Sequence, residues 1–127
     1  MGRRFALTGE TYHGQNMGVI GGLLQPAVAD EPPAFPRAVR GSGGWAQLKY
    51  QPANRLTFNL FGGLEDDFRR DLAVSQINRN QNYGANAIYR VMSNVLASFE
   101  WSYLRTTYIG AGDRINRHYD LAFAYLF

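Results

Sequence analysis

The sequence contains no cysteine, so neither a disulfide framework nor thiol chemistry is available, and a metal site would have to be built from two histidines and carboxylates. Lysine is nearly missing too. Lys49 stands alone beside 12 arginines and 10 acids, and the formal charge of +3 excludes a polyanion-binding tail while leaving room for a local arginine patch. There is no run of about 20 apolar residues, which excludes a membrane-spanning helix. The longest uncharged stretch, Gly14 to Ala29, has 16 residues and is broken by glycines and Pro26. Arg3 and Arg4, the weakly apolar Met17 to Val28 and the small-x-small triplet Ala27-Val28-Ala29 have the outline of a secretory signal, but Glu10, His13 and Gln15 make its leading part too polar. A length of 127 residues fits one domain.

What the sequence does have is alternation. Ala46, Leu48 and Tyr50 alternate with Gln47 and Lys49; Pro52, Ala53 and Asn54 interrupt; then Leu56, Phe58, Leu60, Gly62 and Leu64 alternate with Thr57, Asn59 and Phe61. The pattern returns in Tyr83, Ala85, Ala87, Tyr89 and Val91, in Val95, Ala97, Phe99, Trp101 and Tyr103, and in Tyr119, Leu121, Phe123, Tyr125 and Phe127. With Phe5 and Leu7 opposite Thr8 and Glu10 at the start, the expected strands are 4–13, 44–51, 55–64, 81–91, 95–109 and 115–127. Long connections over 14–43 and 65–80 separate them. Helix is expected only around Phe68 to Gln76.

Period-two alternation has two physical meanings, because an apolar parity can face either a dry core or lipid. Strands of ten or so residues, small residues on the apolar parity (Ala85, Ala87, Ala97, Gly62), aromatics near the strand ends, and tight turns on one side with long loops on the other favour lipid. The expected fold class is therefore all-β: an antiparallel meander of about six long strands forming part of a transmembrane β-barrel, with short periplasmic turns and longer extracellular loops. On this reading Leu56, Phe58, Leu60, Tyr89, Phe99, Trp101, Leu121, Phe123 and Tyr125 face lipid. The pore-lining candidates are Glu10, Lys49, Asn59, Asn82, Asn86, Arg90, Glu100, Arg105, His118 and Asp120.

The closing run Tyr119-Asp120-Leu121-Ala122-Phe123-Ala124-Tyr125-Leu126-Phe127 resembles the terminal strand of Gram-negative outer-membrane barrels. The resemblance implies that Tyr125 and Phe127 act as a terminal assembly signal for the barrel-assembly machinery. Gly14-Gln15-Asn16-Met17-Gly18, Gly43-Gly44-Trp45-Ala46-Gln47-Leu48, Tyr83-Gly84-Ala85-Asn86 and Glu100-Trp101-Ser102-Tyr103 together resemble the C-terminal part of large porins. That family implies about sixteen strands, passive diffusion of small hydrophilic solutes or ions, frequent assembly as a homotrimer, and residence in the outer membrane. Six strands cannot close a barrel of that kind. The chain is thus expected to be the C-terminal segment of one, contacting outer-membrane lipid and closed by the remaining strands of the same barrel or by further copies of the chain.

The rival architecture is a soluble or periplasmic β-sandwich or small barrel that binds a ligand or a protein. The sequence has no nucleophile elbow, and Gly41-Ser42-Gly43-Gly44 lacks the Lys and Ser or Thr of a phosphate loop. No enzyme, cofactor, metal or nucleic-acid partner is therefore expected. Glu65, Asp66, Asp67, Arg69, Arg70 and Asp71 read as a solvated loop of mixed charge. Met17 to Leu24 could be an inserted loop or a strand extension, and Pro26, Pro32, Pro33 and Pro36 suggest an exposed connection.

Overall fold

The computed structural model describes residues 4–17, 28–29 and 37–127. The elements run β1 (Phe5–Gln15), β2 (Val28–Ala29), β3 (Arg37–Ala38), β4 (Arg40–Ala53), β5 (Leu56–Asp67), β6 (Ile77–Met92), β7 (Val95–Tyr108) and β8 (Gly112–Tyr125). Six of them form one antiparallel sheet in the order β1-β4-β5-β6-β7-β8, while β2 and β3 form a separate short hairpin. From β4 onward every strand pairs with its sequence neighbour, the simplest topology an antiparallel chain can take.

Local chemistry fixes the turns. Asn54 and Arg55 join β4 to β5, and the register slips between Tyr50 and Ala53. Pro52 sits in that slip because it has no N–H to give to the ladder. Ser93 and Asn94 join β6 to β7. Residues 109–111 join β7 to β8, with Gly110 at φ +77° and Gly112 at φ +74°, a left-handed backbone that costs glycine little. In place of a helix over Phe68 to Gln76 there is a single 3-10 turn, Arg69–Asp71.

A small apolar core gathers at the end of the sheet that carries the longer connections. Val39 and Leu72 are its buried members, with Met17 and Ile109 packed against them. Backbone bonds tie the connections down: Asn16 N–H donates to Val39 O (3.2 Å), Phe68 N–H to Arg40 O (2.8 Å), and Ser75 N–H to Ile109 O (2.9 Å). The acidic stretch is built in as well, since Glu65 and Asp67 are buried strand residues and Asp71 is buried in the 3-10 turn. Met17 apart, and with only the backbone of Val28 and Ala29 placed, the expectations for residues 18–36 lie outside the described residues.

The sheet does not close. β1 and β8 occupy opposite edges with four strands between them, and no strand among the described residues pairs with the outer edge of either. This overturns the expected transmembrane barrel and what followed from it: the porin resemblance, the passive channel, the outer-membrane location, contact with outer-membrane lipid, the barrel-assembly machinery, closure by further strands or copies, and the homotrimer. The physical reason is that alternation reports which side chains share a face and carries no information about closure, whereas a sheet in hydrocarbon must leave no backbone edge unpaired. No helix among the described residues is long and apolar enough to cross a membrane.

Candidate functional site

The register places five of the ten polar candidates in one row across the sheet: Lys49 opposite Asn59, Asn59 opposite Asn86, Asn86 opposite Glu100, and Glu100 opposite Asp120. Three side-chain hydrogen bonds link this row. Gln47 Nε2 donates to Asn59 Oδ1 (3.4 Å), Asn59 Nδ2 to Asn86 Oδ1 (2.7 Å), and Asn86 Nδ2 to Glu100 Oε2 (3.0 Å). Each amide thus accepts from one strand and donates to the next. Asn59, at 8% exposure, is buried at the middle of the ladder, which its polar groups tolerate because they are paired. At the β8 end His118 Nδ1 lies 3.0 Å from Asp120 Oδ2.

The same face carries aromatics over glycines. A Cβ on Gly84 would meet Phe61 Cζ and Trp101 O, each at 2.6 Å, and one on Gly43 would overlap the Tyr12 ring and approach Leu64 O to 2.7 Å. Glycine here is a requirement of packing, since it opens the space the cross-strand ring fills. Tyr12 lies beside the buried acids of β5. Burial, then Glu65 and Asp67, push its phenol above the ordinary value of 10.0.

Charge is concentrated toward the long-connection end, and much of it is internally matched. Arg40 grips Asp71 twice, through Nε to Oδ2 (2.6 Å) and Nη2 to Oδ1 (2.8 Å), with its guanidinium 4.2 Å from the Phe68 ring centre. Arg79 pairs with Asp66, and Arg105 with Asp113. Thr107 Oγ1 also donates to Asp113 Oδ1 (2.6 Å); that bond, then Arg105, holds the Asp113 carboxyl below its ordinary value of 3.8.

The opposite face is apolar and open. Rows such as Leu7-Leu48-Leu60-Ala85-Trp101-Tyr119 and Phe5-Tyr50-Phe58-Ala87-Phe99-Leu121 run across all six strands. Leu60 is 61% exposed, Leu121 71% and Phe123 72%. Phe58, Tyr89, Phe99 and Tyr125 are also exposed, whereas Leu56 and Trp101 are half-buried. Ring contacts fix part of this surface, with Phe5 stacked on Tyr50 (4.6 Å) and Tyr83 on Tyr103 (4.9 Å). Phe127 lies beyond the end of β8, its ring 5.2 Å from that of Tyr125.

The polar candidates therefore do not all come together. Glu10, Asn82, Arg90 and His118 share the polar face at other levels of the sheet. Arg105 lies on the apolar parity, opposite Gln81 and Ile115. Sequence reasoning had grouped it with the polar residues by its charge, although its odd number places it with Phe99, Trp101 and Tyr103. Gln47 and Tyr12 were missed as partners. The alternation of β4 already put Gln47 on the polar face, but the cross-strand register that brings it to Asn59 is not written in either strand alone. No known protein family, characterised protein or solved structure matches this chain.

Proposed function

We propose that this chain is a binding module rather than a catalyst, and that its apolar sheet face is a protein-docking surface. One observation carries the proposal: most of the large apolar side chains that stand open on the six paired strands share one face, Trp45 being an exception on the other, while Val39 and Leu72 are the buried hydrophobic residues among those described. Covering a single leucine or phenylalanine is worth roughly 1.5–3 kcal/mol, so an uncovered face of this composition is a strong drive to association. The arrangement also has the anatomy of an interface. From Leu56 to Leu60 on β5, and at the matching levels of the other strands, the face is uncharged, whereas Arg117 stands at the level of Gly62, Arg105 at that of Leu64, and Asp66, Arg79 and Asp113 beyond them toward one end. The polar ladder on the reverse side stiffens the platform by linking four strands through side chains.

Photo-crosslinking from single sites tests this reading. A photoreactive phenylalanine analogue replacing Leu60 or Leu121 should form protein adducts in cells, and the same analogue replacing Thr8 or Ala124 on the polar face should not. Adducts to lipid alone, or equal yields from both faces, would refute the docking face.

A further inference from the structure

Resting on that reading, we infer that the occupant of the apolar face is a second copy of this chain, stacked face to face so that two six-stranded sheets make one β-sandwich. This is a different contact from edge-to-edge closure, and it leaves the outer edges of β1 and β8 as edges.

Area is the first argument. Six strands spaced about 4.8 Å apart, taken over the about 27 Å from Leu56 to Leu64 on β5, present roughly 700–800 Å² on one face, with Arg105 and Arg117 at its β7–β8 corner. A stable protein interface takes about 800 Å² from each partner. The layer that fits this face is a sheet of the same dimensions with an apolar side, and the chain itself supplies one.

Relief is the second argument. Ala85 and Ala87 on β6 form a low strip between Phe58 and Leu60 on β5 and Phe99 and Trp101 on β7. Large and small residues thus alternate across the face, as interdigitating layers about 10 Å apart require. Charge on this face lies toward one end and is either paired or at the rim, since Arg117 stands on the edge strand β8, exposed, where a long side chain keeps its head in water. On this face Asp66 is paired with Arg79 and Asp113 with Arg105 within the chain, so no carboxylate of these pairs has to be buried without its cation.

The native chain has no cysteine, so single introduced thiols report accessibility without background. The experiment combines light-scattering mass with maleimide labelling of Ala87→Cys and Thr8→Cys chains. The expected mass is twice 14.3 kDa, with Ala87→Cys labelling slowed at least about tenfold as the chain concentration rises and Thr8→Cys labelling unchanged. Leu60→Lys should return the mass to that of one chain, while Thr8→Lys, on the other face, should keep the doubled mass and so control for folding. A single-chain mass with Ala87→Cys shielded only when another protein is added would overturn the self-stack but leave the docking face standing. A single-chain mass with Ala87→Cys freely labelled, or shielded only by phospholipid vesicles, would overturn both.

Discussion

Asn59 shows how much one residue can hold in a thin sheet. Its amide accepts from Gln47 and donates to Asn86, which in turn donates to Glu100, so four strands meet through side chains that no apolar core supports. Asn59→Ala leaves the Asn86 acceptor and the Gln47 donor to find water beside a half-buried row. A stability loss of about 1–3 kcal/mol is expected, read as a lower urea midpoint with unchanged slope. Because the bonds form one chain, the Asn59→Ala, Asn86→Ala double variant should lose less than the sum of the two singles. Titration gives a second residue-level test at Asp113, where Thr107 and then Arg105 lower the carboxyl pKa. A depressed folded-state pKa contributes stability above the unfolded value near 3.8 and loses it as pH falls through the folded value. Asp113→Asn should therefore flatten the acid side of the stability curve below pH 3.8, measured as the urea midpoint against pH. An unchanged curve would show that the Arg105–Asp113 pair stabilises nothing.

The elements divide into what alternation reveals and what it hides. Leu56 to Leu64 and Val95 to Tyr103 announce strands and their faces, and the turn residues Asn54 and Ser93-Asn94 announce where the chain reverses. The outer limits were hidden: β4 begins at Arg40 and β6 at Ile77, where Gly41, Gly43 and Asn78 give no apolar parity, and long-range pairing alone decides. Sheet closure was hidden for the same reason, since an edge is a relation between two strands far apart in sequence. The glycines were legible only as breaks, yet Gly84 is where β6 makes room for Phe61. Gly84→Val should therefore destabilise the sheet by about 1–3 kcal/mol despite the better strand propensity of valine, because its side chain meets the Phe61 ring and Trp101 O. A stabilised Gly84→Val variant, judged by its urea midpoint, would disprove this packing role. Edge position makes a separate prediction for whole strands. Amides of β8, exposed along its entire length, should exchange with solvent faster than those of β5 and β6, which have partners on both sides.

For the molecule as a whole, the governing fact is the imbalance between a well-paired backbone and a poorly covered side-chain surface. Strand pairing satisfies the backbone across six strands but buries little oil, and a single antiparallel layer gains stability only when something covers its apolar face. If a second copy supplies the cover, folding and association are one equilibrium, and stability depends on chain concentration. A tenfold increase in concentration shifts a two-chain equilibrium by about 1.4 kcal/mol. For an assembly of two such chains this corresponds to a rise of roughly 3–6 °C in the thermal midpoint. The rise should vanish in Phe58→Lys, which puts a charge at the centre of the apolar face, and persist in Lys49→Gln, which changes the polar face. Scanning calorimetry over a hundredfold range of concentration reads both variants beside the parent. A midpoint that stays fixed in the parent would mean that the chain reaches its folded stability without a copy of itself on that face.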